Sequence, residues 1–225
     1  MSDAALVRAE RLTRIFEPDL ESAPAVFEAT FKIVPRDQIA LTGPSGSGKS
    51  TLLHLVAGID SATSGTIEWP ALGPPETLRP DSVGIAFQGE SLLPALTVAE
   101  NVALPLVLKG APEDEAADAA ADLLERFSLA DVAGKLPEEI SGGQSQRAAV
   151  ARALIAKPRL VLADEPTGQQ DRAGAERIVD ELIAAVEETD AALVIATHDL
   201  AIAARFALVW SMAGGRVEQE APLRS

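Results

Sequence analysis

Apolar residues are spaced in two rhythms along this chain. Near the start, Ala5 to Phe16 and Ala25 to Val34 alternate loosely between apolar and polar positions, as half-buried strands do. Shorter, nearly continuous apolar runs predict buried strands: Gln38 to Thr42, Val83 to Phe87, Leu160 to Ala163 and Leu193 to Ala196. Thr66 to Trp69, introduced by Ser64-Gly65, reads as a further strand, and the Pro/Gly-rich stretch from Pro70 to Pro80 as a loop. Helical spacing takes over between Leu92 and Lys135. Thr97-x-x-Glu100 is a capping box that opens a helix, which Pro105 should kink or end. Ala116, Ala120, Leu123, Leu124 and Phe127 then form a helical stripe beneath an acidic face.

Beyond that block the strand–helix alternation resumes. Ser141 to Ile155 is helical, and Ala175, Ile178, Val179, Leu182, Ile183 and Val186 mark the face of the next helix. Leu208 to Met212 and Arg216 to Glu220 flank Gly214-Gly215, which predicts a closing hairpin. Strands alternating with helices predict a mainly parallel α/β sheet, with ligands at the C-terminal ends of its strands. The expected organisation is one domain over residues 1–225, in which 92–140 is a helical insert between core segments 1–91 and 141–225. No internal repeat is evident.

The strand Gln38 to Thr42 leads into Gly43-Pro44-Ser45-Gly46-Ser47-Gly48-Lys49-Ser50-Thr51, a G-x-x-x-x-G-K-[ST] pattern. Its glycines allow a tight turn in which several amide N–H groups converge on phosphates. Lys49 can reach the β- and γ-phosphates, and the Ser50 hydroxyl can ligand Mg²⁺. Ser50 to Ala57 reads as a helix whose N-terminus faces the anion. A Gly-rich linker would carry the same glycines, but not an apolar strand before them and an apolar helix after them.

Composition then narrows the classes. At 225 residues and 47% hydrophobic, the chain can bury a substantial core. The absence of cysteine excludes disulfides and thiolate metal sites and is compatible with a reducing compartment. Met1-Ser2-Asp3-Ala4-Ala5 has neither a basic n-region nor an apolar h-region, so no secretion signal is expected. No apolar stretch is long enough to span a bilayer. A net charge of −15 repels phosphate backbones, and no basic footprint for nucleic acid is visible.

Three other places carry chemistry. Asp164-Glu165 follows an apolar strand; beside a phosphate loop, Asp164 can hold the Mg²⁺ shell and Glu165 can orient or deprotonate a water. His198 stands at another strand end, on the nucleotide side of the sheet, although a lone histidine is more often packed or merely on the surface. His54, inside the helix after the loop, reads as structural. Ser141-Gly142-Gly143-Gln144 is either an ordinary capping box or an anion site whose amides the cap orders. If it is also an anion site, the chain holds two half-sites, and a head-to-tail pair of copies would complete both.

Together these residues resemble the ATP-binding cassette (ABC) ATPases, the nucleotide-binding subunits of ABC transporters. The resemblance runs in order through the Walker A loop Gly43–Thr51, the Q-loop at Gln88, the signature Ile140-Ser141-Gly142-Gly143-Gln144 continuing through Gln146-Arg147, Walker B at Leu160–Glu165, the D-loop ending at Asp171, and the H-loop Thr197-His198-Asp199. It implies an α/β P-loop NTPase with a mainly parallel sheet, an N-terminal antiparallel β-subdomain and an inserted helical subdomain. It also implies ATP and Mg²⁺ as ligands. Lys49 and the loop amides would hold the phosphates, with Ser50 and Gln88 on Mg²⁺ and Asp164 supporting it. Glu165 would be the general base, and His198 would contact the γ-phosphate. Ser141 and Gly143 would reach the nucleotide on a second ATPase subunit, and Asp171 would join the dimer contact. Separate integral membrane permease subunits would dock near the Q-loop, placing the chain on the cytoplasmic face of the inner membrane.

Some positions depart from the family pattern. The adenine-stacking tyrosine is missing, since the chain has no tyrosine, and Phe16 is the candidate that keeps a π-face. Ile140 replaces leucine, Gln169-Gln170 precede Asp171 where an apolar residue is common, and Arg36-Asp37 replaces a glycine-acid turn. Gln88-Gly89-Glu90-Ser91-Leu92-Leu93-Pro94, with Glu100-Asn101-Val102, looks like the branch serving lipoprotein release, macrolide or peptide efflux, and division-associated relatives. A regulatory switch acting through a membrane partner, without transport, is the alternative in a second class. A DNA-repair cassette, the third class, is opposed by the acidic charge.

Overall fold

The computed structural model describes residues 5–16, 23–89 and 91–220. Met1 to Ala4, read above for a secretion signal, and Glu90 of the Q-loop pattern lie outside them. Two sheets organise the chain. Strands β1 (Val7–Arg14), β2 (Val26–Ile33) and β4 (Ser64–Glu68) form an antiparallel sheet in the order β2-β1-β4. The larger sheet contains β3 (Gln38–Thr42), β5 (Val83–Ala86), β6 (Leu160–Asp164), β7 (Ala192–Thr197), β8 (Leu208–Ala213) and β9 (Arg216–Glu220). Their order is β5-β6-β7-β3-β8-β9, parallel throughout except for β9, which closes the edge as the antiparallel arm of the expected hairpin. This is the α/β fold that the alternation predicted.

The apolar runs become strands because both faces of the large sheet are covered. One face packs with Leu52, Leu53 and Leu55 of helix α1 (Lys49–Val56) and with the inner face of the antiparallel sheet. The other face shares a core with the helices α2 (Val98–Leu108), α3 (Glu113–Arg126), α4 (Gly142–Leu154) and α5 (Arg172–Thr189). Val102, Ala120, Leu124 and Phe127 thus belong to the same buried cluster as Val161, Ala163 and Ile195 of the sheet. Fully burying a valine, leucine or phenylalanine side chain stabilises by about 1.5–3 kcal/mol. The helical block is therefore anchored through its apolar stripe.

Register positions the site. Across the parallel ladder Thr42 pairs with Thr197, and Asp164 pairs with Ala196. The C-terminal ends of β3, β6 and β7 therefore lie side by side, and the segments that leave them start from one edge.

Four local expectations change. Pro105 does not end α2, which continues through Leu108; one further turn follows before Lys109, whose N–H reaches back to the Pro105 and Leu106 carbonyls. The strand expected at Thr66–Trp69 starts at Ser64 and stops at Glu68, because Trp69 turns its indole N–H to the Val56 carbonyl, 2.8 Å away. The Pro/Gly loop contains a short 3₁₀ turn at Pro75–Thr77. A four-residue helix, α6 (Leu200–Ala203), follows β7 and is capped by Asp199.

Arg36 adopts φ 68°, the left-handed conformation for which glycine is the usual choice. Its guanidinium Nε donates to Asp190 Oδ1 at 2.7 Å, while the Asp37 carboxylate accepts from the Val34 N–H at 2.8 Å. The tight turn before β3 survives without glycine because side chains on both residues hold it.

Candidate functional site

The sheet edge opens on a cavity of ≈ 630 Å³ lined by Ala25, Ser45, Gly46, Gly48, Lys49, Ser50, Thr51, Gln88, Asp164, Glu165, Gly168 and His198. Four segments far apart in sequence meet there: the Gly43 loop, Gln88 after β5, Asp164-Glu165 at the end of β6, and His198 after β7. Gly43 and Gly48 have φ of 150° and 106°, and a Cβ on either would run into a carbonyl, of Met212 or Ala25 respectively. The loop is therefore pressed against β8 and the residue that leads into β2. Pro44, Ser45 and Gly46 are exposed at its rim, and Ser47 and Lys49 are buried.

Helix α1 begins at Gly48 without a side-chain cap. By contrast, α2, α4, α5 and α6 are capped by Thr97, Ser141, Asp171 and Asp199; α3 also lacks a side-chain cap, at Pro112, but starts away from this cavity. The first N–H groups of α1 thus remain available to an external anion. Lys49 Nζ donates to the Gly43 and Pro44 carbonyls at 2.8 and 3.1 Å and lies 3.9 Å from Glu165 Oε1, which keeps the cation at the cavity.

Glu165 holds an unusual backbone. Its φ is 48°, left-handed for a residue with a Cβ, which costs on the order of 1–2 kcal/mol. Three hydrogen bonds enforce it: its N–H to the Ala196 carbonyl at 2.9 Å, the Gly168 N–H to its carbonyl at 3.1 Å, and Gln146 Nε2 to the same carbonyl at 2.8 Å. The same left-handed φ occurs at turns such as Arg36, but here it lies at the cavity, where such strain points to function. The carboxylate is turned toward His198, with Oε2 2.8 Å from Nδ1. His198 itself is exposed, between β7 and the capped start of α6.

Asp164 and Ser47 supply a test for Mg²⁺ and phosphate. Asp164 Oδ1 and Ser47 Oγ are buried without a hydrogen-bond partner. Each such atom costs about 1–3 kcal/mol unless something fills the gap. Burial pushes the Asp164 carboxyl above its ordinary value, hydrogen bonding by Ser50 opposes this, and the neighbouring Glu165 charge adds to the rise. A carboxylate destabilised in this way gains from a cation. Among the described residues no group of three or more His, Asp or Glu forms a complete metal cage. One or two protein oxygens completed by substrate phosphates and water is what Mg²⁺ prefers, so the donor set fits.

Ser141, Gly142, Gly143, Gln144 and Asp171 are not among the residues lining this cavity. Ser141 Oγ accepts from the Gln144 N–H at 3.2 Å and Gln144 Oε1 from the Ser141 N–H at 2.8 Å, so the capping box forms and orders the first turn of α4. Asp171 Oδ1 accepts from the Gly174 N–H at 2.7 Å as the cap of α5. Phe16 stands 61% exposed just beyond β1, with the Arg14 guanidinium 4.6 Å from its ring centre. Arg14 is held in turn by Asp60, 2.8 Å from its Nε. His54 is half-buried against the Phe87 ring, as a structural residue would be.

Comparison with known proteins decides the family. The ABC transporter family model matches residues 26–168, more than half of the chain. The chain belongs to the ABC transporter family of ATP-binding cassettes. It is 39% identical over 221 residues to the lipoprotein-releasing system ATP-binding protein LolD of Gluconobacter oxydans, covering 95% of this chain and 96% of that one. An uncharacterised ABC transporter ATP-binding protein of Mycobacterium tuberculosis is 36% identical over 224 residues, with 96% and 90% covered. Among solved structures, the dimeric bacterial ABC transporter cassette MJ0796 superposes with a TM-score of 0.90 at 33% identity, covering 97% of this chain and 99% of that one. The same cassette in a post-hydrolysis state bound to ADP and Pi gives a TM-score of 0.89. This chain is therefore an ABC ATPase.

Two contributors to this ABC cassette's site escape a motif search. Ala25 and Gly168 line the cavity but carry no chemical signature. Gln146, read from the sequence only as part of the signature, sits 6% exposed on α4, whose buried residues include Ala149, Val150 and Ala153, and its amide ties it to the Glu165 carbonyl and the Gln169 N–H.

Proposed function

We propose that this chain hydrolyses ATP as the motor subunit of a membrane complex. It pairs head-to-tail with a second copy and works with separate integral membrane permease subunits from the cytoplasmic face of the inner membrane. The similarity to LolD proteins favours release or extraction of a lipoprotein-like substrate. No helix of the described residues is long and apolar enough to cross a membrane, so a transport path would come from other chains. In this reading residues 1–91 and 141–225 form the nucleotide core and 92–140 the helical insert.

The observation that carries this reading is the convergence of the uncapped α1, Lys49, Asp164, Glu165 and His198 on one cavity at the sheet edge. The Gly43 loop amides and Lys49 grip the β- and γ-phosphates, and Phe16 stacks on the adenine. Ser50, Gln88 and Asp164 would hold Mg²⁺, which would supply neutralisation of the phosphate charge. Glu165 accepts a proton from the water that attacks the γ-phosphorus, and ADP departs as the bond to its β-phosphate oxygen breaks. His198 keeps Oε2 of Glu165 in place and reaches toward the γ-phosphate from the other side. Ser141 and Gly143 approach the nucleotide of the second copy, beside Asp171.

Glu165→Gln keeps the side chain's shape and its contact to His198 but removes the base. Turnover should fall by about 10²–10⁴-fold while ATP binding persists. Near-normal phosphate release by the purified variant would contradict the assigned base.

A further inference from the structure

The D-loop of this chain carries Gln169-Gln170 ahead of Asp171, and the fold gives Gln170 a use. Its side-chain amide is bonded at both ends. Nε2 donates to the Gly143 carbonyl at 2.7 Å and lies 3.4 Å from Gln146 Oε1, while its Oε1 accepts from Arg147 Nη1 at 3.0 Å. Arg147 is itself tethered, its Nε donating to the Phe127 carbonyl at 3.1 Å. Gln146 completes the connection: its Oε1 accepts from the Gln169 N–H at 3.1 Å, and its Nε2 donates to the Glu165 carbonyl at 2.8 Å.

The first turn of α4 is thus joined to the strap running from Glu165 to Asp171 by side-chain amides rather than by a β ladder. The fit is close as well as polar. A Cβ on Gly143 would stand 3.0 Å from both the Gln169 carbonyl and Gln170 Nε2, and one on Gly142 would meet the Gln169 amide. The two glycines therefore let the strap lie against the helix tip, quite apart from any anion.

We infer that Gln170 is a positioning residue that fixes the Ser141–Gln144 helix tip to the strap carrying Glu165, and so sets the face that one copy offers to the nucleotide of another. This rests on the head-to-tail pairing proposed above. Nothing in the network touches the cavity around Lys49 through Gln170 itself, which is not among the lining residues. Nucleotide binding to a single chain should therefore be indifferent to it. Pairing should not be.

Two substitutions separate the terms. Gln170→Leu removes both bonds at similar volume. Gln170→Glu keeps the acceptor for Arg147 but turns an oxygen toward the Gly143 carbonyl and Gln146 Oε1, replacing an attraction by a repulsion.

The test places each variant in a Glu165→Gln background and follows ATP-driven dimerisation by analytical ultracentrifugation. A fluorescent ADP analogue reports single-chain affinity at low protein concentration. The expected result is a dimerisation midpoint weakened about fivefold or more by Gln170→Leu and further by Gln170→Glu, with single-chain affinity changed less than twofold. Dimerisation as tight as in the parent would overturn the role of Gln170, as would equal losses of single-chain affinity and pairing, which would mark general damage. If the Glu165→Gln parent itself stays monomeric in ATP, the pairing reading fails first and takes this inference with it.

Discussion

The Gly43 loop and the Ser141 helix tip both present glycines at the start of a helix, but they are held by different means. The loop leaves β3, and the residues that face it leave β6 and β7, so parallel main-chain register aligns the whole group. The tip has no ladder beneath it. It is held by the amides of Gln144, Gln146 and Gln170 and by the Arg147 guanidinium. Main-chain ladders resist displacement cooperatively, whereas one side-chain hydrogen bond contributes about 0.5–1.5 kcal/mol net. The phosphate side is thus rigid within one chain, and the signature side is adjustable. That division suits the proposed pairing, in which each site closes when copies meet.

The largest expected effect falls on the rigid side. Lys49→Ala removes the cation that lies between two loop carbonyls and Glu165. ATP affinity, measured by isothermal titration calorimetry, should fall about 100-fold or more, as the loss of a largely desolvated charge-assisted contact implies. A change of less than about threefold would show that the loop amides alone hold the phosphates.

A smaller effect sharpens the same side. The Asp164 carboxyl is raised above its ordinary value of 3.8, chiefly by burial. Between the ordinary and the raised value the folded chain binds more protons than the unfolded one, so stability falls as pH rises through that window. The cost is carried above that window. Asp164→Asn should therefore melt higher than wild type at pH 7 without nucleotide, by roughly 2–4 °C if about 1 kcal/mol is recovered. The gap should close as pH falls toward the ordinary carboxylate value, and Mg²⁺-dependent turnover should be lost. Calorimetric scans from neutral to acid pH read both the sign and the window; a variant less stable at pH 7 would mean that the carboxylate is well satisfied.

The sequence disclosed these two regions unequally, for physical reasons. Buried parallel strands must be almost wholly apolar, so their ends stand out where glycine, acid or histidine begins, as at Gly43, Asp164 and His198. Tertiary side-chain bonds leave no such trace. Nothing in Gln169-Gln170 announces a partner at Gly143, and the place of Gln146 in the signature gives no hint of its bonds to Glu165 and Gln169. Helix α6 spans four residues, too few to show a 3.6-residue period. An interior proline loses an N–H and so favours a kink or an end, yet at Pro105 the helix continues, because the single turn that follows leaves little ladder to lose. At Arg36 a departure from the expected glycine was offset by Asp190, which lies 154 residues away.

The central claim, that ATP is held between the loop of one copy and the helix tip of another, is tested most directly by the mass of the Glu165→Gln protein in saturating ATP and Mg²⁺. Analytical ultracentrifugation should show twice the 23.5 kDa of one chain, and introducing Ser141→Arg should return it to one chain without loss of single-chain affinity. A protein that stays at 23.5 kDa with ATP bound, or a Ser141→Arg variant that pairs as tightly as its parent, would contradict the account.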